Sequence, residues 1–162
     1  MRSQYVWPVI LFFPVLLFQT TILPLIAIRG IIPDLIIILL VYYSIMLGQM
    51  TGTILGFIYG FFFDVITGSL MGTSILSLTI TGFVAGYFSN ENKRDIYFKN
   101  YIFVLIVALC AIINSLLNSF FVSVDLNTNM MSLLLNLGIL PALYTSLIST
   151  IVIVFYPKRN FD

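Results

Sequence analysis

The chain alternates long apolar runs with short polar breaks, and the breaks divide it into six predicted membrane-spanning helices. The runs cover about 5–27, 31–47, 50–66, 70–88, 96–122 and 130–156. Arg29-Gly30 separates the first two. Ser89 to Asp95, SNENKRD, is the clearest polar loop, and Asp125, Asn127 and Asn129 mark the next. Pro157, Lys158 and Arg159 close the last run. Transmembrane strands would need segments of roughly ten residues alternating apolar and polar, whereas these runs are continuously apolar. The second and third runs are short and joined by only a few residues, so they are expected to form a tight hairpin. Pro33 is placed in the first turn of the second helix, where a missing N–H costs little. The first run contains Pro8, Pro14 and Pro24 and has no small-residue cleavage site, so it reads as a retained helix kinked at Pro14 rather than a signal peptide.

One run carries a finer pattern. Gly48, Gly52, Gly56, Gly60, Asp64, Gly68 and Gly72 fall four residues apart. Positions four apart advance about 40° around a helix, so Gly52, Gly56, Gly60 and Asp64 form a slowly winding ridge of small residues along which another backbone can approach. Gly48, Gly68 and Gly72 fall at or beyond the helix ends and serve turns. A second small lane occurs at Gly82 and Gly86. The lane admits two uses: packing inside one bundle, or docking another protein's transmembrane helix.

Composition fits an integral membrane protein forming a single domain over residues 1–162. The chain is 60% hydrophobic and 8% charged, with net charge +1 and mean hydropathy +1.12. A soluble domain carries about a quarter charged residues. No basic face able to hold nucleic acid is available. There is no histidine, which removes histidine-based metal sites, triads and general bases. Cys110 is the only cysteine and lies in an apolar run. No cofactor is implied. With six spans both termini share a side, which collects Arg2, Lys93, Arg94, Lys99, Lys158 and Arg159, against Arg29 alone on the other. The positive-inside rule therefore places both termini in the cytoplasm.

Polar residues then sort by depth. Arg29, Asp34, Asp64, Asn114, Asn118 and Asn136 all fall in the outer leaflet of this topology. Buried polar groups need partners, so several are expected to converge on a polar cluster or a shallow outward-facing cavity; otherwise they line loop-proximal helix ends. Asp64 is expected to brace the turn at Thr67 to Ser69, to pair with Arg29, or to shape a polar site. Intramembrane carboxylates are expensive, on the order of 2.5–3.5 kcal/mol at mid-depth, so its placement near the helix end lowers the cost. An intramembrane enzyme is disfavoured, because no second catalytic carboxylate motif and no nucleophile–base pair accompany Asp64.

The ordered set Pro33-Asp34-Leu35, then Gly52, Gly56-Phe57, Gly60, Asp64, Gly68-Ser69, Leu70 and Gly72 resembles the MreD family of bacterial rod shape-determining membrane proteins. The motif region runs from Pro33 to Gly86; beyond it the likeness is one of length and topology. The resemblance implies a noncatalytic scaffold in the cytoplasmic (inner) membrane, within the elongation machinery that builds lateral peptidoglycan. The implied partner is an MreC-like single-span protein, connecting MreB filaments to the RodA glycosyltransferase and its penicillin-binding transpeptidase. It also implies a six-helix fold similar to the substrate-binding subunits of energy-coupling-factor transporters. The alternative is therefore a small-molecule-binding membrane subunit of a vitamin transporter. Such subunits usually dock through an Ala-x-x-x-Ala surface on their first helix, and here the first span has only Ala27.

Overall fold

The computed structural model describes residues 3–27, 32–89, 102–126 and 140–155. Among these, every regular element is helical: α1 (Ser3–Thr21), a 3-10 turn (Leu23–Ile26), α2 (Leu35–Leu47), α3 (Gln49–Thr67), α4 (Thr73–Tyr87), α5 (Ile102–Leu126) and α6 (Leu140–Phe155). Among the described residues three segments are long and apolar enough to cross a membrane: Val6–Leu25, Gln49–Thr67 and Ile102–Phe121.

Boundaries depart from the sequence reading where local backbone chemistry intervenes. The first α-helix stops at Thr21, and Pro24 sits at the start of a separate 3-10 turn. A proline lacks the N–H that would continue an α-helical ladder. Pro33 precedes the second helix rather than occupying its first turn. Asp34 is the N-cap, its carboxylate accepting from the Ile36 and Ile37 N–H groups. That cap shortens α2 to 13 residues, about 20 Å long. The third helix is longer than expected, at 19 residues. The fourth begins at Thr73 rather than near Leu70, because the chain turns through Gly68 (φ 65°) and Gly72 (φ 108°). Only Gly48, with φ 96°, separates α2 from α3, which gives the tight hairpin its turn.

The centre of the bundle is apolar. Phe12 and Leu16 of α1, Ile36, Leu40 and Val41 of α2, Tyr59 of α3, and Phe103 and Val107 of α5 are all buried. Phe12 stacks on Tyr59 with ring centroids 4.4 Å apart. The Tyr59 hydroxyl donates to the Pro8 carbonyl at 2.8 Å, so the aromatic pair also has a polar tie between α1 and α3. The outer faces of the helices are apolar as well. Met50, Ile54, Phe57, Phe61 and Val65 form an exposed stripe on α3, the inverted distribution expected of helices whose solvent is lipid.

Candidate functional site

The small-residue lane is spent on an internal contact. Among the described residues the most extensive helix pairing is α3 with α4, and both lanes lie in it. A Cβ added to Gly52 would stand 2.7 Å from the Gly82 carbonyl oxygen. One on Gly56 would stand 2.8 Å from the Leu78 carbonyl carbon and 2.9 Å from Thr79 Cα. At Gly60 the obstacle is Ile75 Cα at 2.5 Å. In return, Gly82 faces the Gly52 carbonyl and Gly86 faces Gln49 Cα. Backbone meets backbone along the whole crossing, and only glycine allows it at these positions. The opposite face of α3 is the exposed stripe, and Gly52, Gly56 and Gly60 are turned away from it into the contact with α4.

Asp64 ends this ridge and is buried, at 1% exposure. Its Oδ1 accepts from Ser69 Oγ at 2.8 Å and from the Ser74 N–H at 3.3 Å. Its Oδ2 accepts from the Gly72 N–H at 2.8 Å and the Ile75 N–H at 3.4 Å. Gly72, Ser74 and Ile75 open α4, whose first N–H groups have no intrahelical acceptor. The N-cap position itself is a glycine without a side chain, so the cap comes from the preceding helix. Asp64 therefore braces the turn, as one of its sequence readings had it, and also closes α4. The other expected partner, Arg29, lies outside the described residues.

A second polar assembly joins α1, α2 and α6. Gln19 Nε2 donates to Asp34 Oδ1 at 3.1 Å, and Gln19 Oε1 accepts the Ile36 N–H at 3.1 Å. The Asp34 N–H donates to Thr145 Oγ1 at 2.9 Å. Beside it lies a cavity of about 50 Å³, lined among the described residues by Asp34, Ser74, Ser77, Asn114 and Asn118 with apolar walls from Ile36, Phe63 and Leu78. Ser77 Oγ donates to Asn118 Oδ1 at 3.3 Å. Asn114 is 4% exposed, and its Oδ1 has no hydrogen-bond partner among the described residues; Ser119 Oγ is likewise without one.

Of the residues grouped by depth, Asp34, Asn114 and Asn118 line one cavity. Asp64 is one step away: its Oδ1 accepts from the backbone of Ser74, which lines the cavity. Asn136, like Arg29, falls outside the described residues. Sequence reasoning missed Gln19, Ser74, Ser77, Thr145 and Tyr59. Gln19 was the detectable one, as an amide inside a 20-residue apolar segment. Serines and threonines carry no such signal. Their hydroxyls commonly bond to the carbonyl one turn back, as those of Ser44 and Thr81 do here. Among the described residues no group of three or more Cys, Asp or Glu stands close enough to hold a metal.

A family model described as rod shape-determining protein MreD matches residues 1–158. No curated protein and no solved structure matches the chain.

Proposed function

The chain belongs to the MreD family of rod shape-determining proteins, and from that premise we propose that it is a noncatalytic membrane scaffold of the bacterial cell-elongation machinery. In this reading it lies in the cytoplasmic (inner) membrane as six spans with both termini cytoplasmic. It binds an MreC-like single-span protein. Through that protein it connects MreB filaments to RodA and a penicillin-binding transpeptidase. The fold is then a six-helix bundle similar to the substrate-binding subunits of energy-coupling-factor transporters.

The observation that carries the reading is what the motif residues do. Gly52, Gly56, Gly60, Gly82 and Gly86 close α3 on α4, and Asp64 caps α4 across the turn. Asp34 caps α2. All of them pack or cap the α2–α3–α4 unit, and none stands beside a nucleophile–base pair among the described residues. A motif devoted to packing and capping suits a scaffold. The cavity, at about 50 Å³, falls well below the roughly 300–1,000 Å³ of pockets for drug-sized ligands, which disfavours the vitamin-transporter alternative.

Affinity purification in mild detergent from the native host, followed by mass spectrometry, tests the proposal. Recovery of a single-span MreC-like protein is the expected result. Recovery of a coupling ATPase with its membrane partner in its place would overturn it.

A further inference from the structure

We propose that the cavity between α2, α4 and α5 is a binding site for a primary alkylammonium group. Three features of its wall converge on that chemistry. First, it is supplied with acceptors. Asn114 is a buried side chain on that wall, and its Oδ1 has no partner among the described residues. Asp34 adds a carboxylate whose hydrogen bonds, among the described residues, all fall on Oδ1. Ser74, Ser77 and Asn118 complete the polar wall. An ammonium nitrogen offers three N–H donors and no acceptor.

Second, the charge matches. Among the described residues one carboxylate lines the cavity, and a single positive charge neutralises it. A divalent cation would stay under-compensated, because sites for such ions gather several oxygen ligands with more than one carboxylate in most cases. Third, the other described residues of the wall are Ile36, Phe63 and Leu78, which suit the methylenes next to the nitrogen. The volume admits a headgroup or a short amine rather than a drug-sized molecule. Free amines and the headgroup of an aminophospholipid share this chemistry.

Two substitutions separate binding from folding. Asp34→Asn keeps an N-cap side chain at the start of α2, since Asn caps as well as Asp, and removes only the charge. Asn114→Leu replaces a buried unpartnered amide by a side chain of similar size, which leaves stability unchanged or raises it. The experiment follows thermal unfolding of the full chain in phosphatidylglycerol nanodiscs during titration with n-butylammonium chloride, with potassium chloride and n-butanol as controls. At a hundred times its dissociation constant, a ligand that binds only the folded state raises the midpoint by about 5–10 °C in a chain of this size. That rise is expected with butylammonium alone and is expected to vanish in both variants. Repeating the titration in phosphatidylethanolamine nanodiscs identifies the source. A midpoint already raised and unresponsive to butylammonium means that the lipid headgroup occupies the site. An unchanged response means that the site takes free amines. Potassium chloride matching butylammonium, no response to either, or a response retained in Asp34→Asn and Asn114→Leu would overturn the proposal.

Discussion

Gly56→Ala adds one methyl group where α3 crosses α4, and its cost can be worked from the contact. The new Cβ would lie 2.8 Å from the Leu78 carbonyl carbon, about 0.6 Å inside the 3.4 Å at which ordinary contact begins, and closer still to the carbonyl oxygen. The obstacle is backbone on both sides, so no rotamer change relieves it. The helices must separate, and a gap of about 0.5–1 Å forfeits a quarter to a half of the dispersion energy across the affected contacts. Overpacking of this kind reaches about 3 kcal/mol, against a gain of about 1 kcal/mol from the higher helix propensity of alanine. The expected net loss is about 2 kcal/mol, roughly thirtyfold in the folded-to-unfolded ratio. Unfolding by sodium dodecyl sulfate in mixed micelles, followed by circular dichroism and Trp7 fluorescence, reads it. Ile54→Ala, on the exposed stripe of the same helix, is the control and should stay within about 0.5 kcal/mol of wild type. Gly52→Ala acts at the neighbouring contact with Gly82 and also meets the Ser44 side chain of α2. Once one methyl has spread the helices, the second meets less resistance, so the double variant should cost at least about 0.5 kcal/mol less than the sum. A Gly56→Ala protein as stable as the Ile54→Ala control would refute the assignment of the glycines to the α3–α4 contact.

Asp64→Ala strips the acceptor from the Gly72, Ser74 and Ile75 N–H groups and should cost about 3 kcal/mol or more. Hydrogen exchange should accelerate first at residues 72–75, and unchanged protection there would refute the capping role. Tyr59→Phe keeps the stack on Phe12 and loses the bond to Pro8, for an expected loss of about 1–2 kcal/mol in the same micelle assay. Equal stability of the two proteins would mean the hydroxyl bond is not formed. Cys110 is fully buried, so a maleimide should label it only after detergent unfolding; rapid labelling of the native protein would contradict its position in the core.

Much of this architecture was legible in the one-dimensional pattern, because lipid leaves the backbone few choices. A continuous apolar run in a medium without hydrogen-bond partners must be helical, and polar breaks mark its ends. Gly48, Gly68 and Gly72 announced turns because their spacing carried the comb beyond the helix. The spacing of Gly52, Gly56, Gly60 and Asp64 likewise placed them on one ridge before any coordinates were known. Boundaries were less legible. The N-cap at Asp34 and the 3-10 turn at Pro24 hang on single side-chain or ring interactions that hydropathy does not register.

The ridge itself could not say what lay against it. Period and residue size define a face, but a partner for that face is a relation between segments. Here Leu78, Thr79 and Gly82 arrive from α4 to meet Gly52 and Gly56. The same holds for Asp64, whose need for donors was evident from its chemistry. Its donors, at Ser69, Gly72, Ser74 and Ile75, came from a turn whose path is set by two left-handed glycines. Asn114, Asn118 and Asp34 shared only an estimated depth in the chain; their meeting around one cavity followed from how α2, α4 and α5 pack. Local periodicity specifies which residues can face a neighbour. The identity of that neighbour rests on long-range packing, which no window of sequence contains.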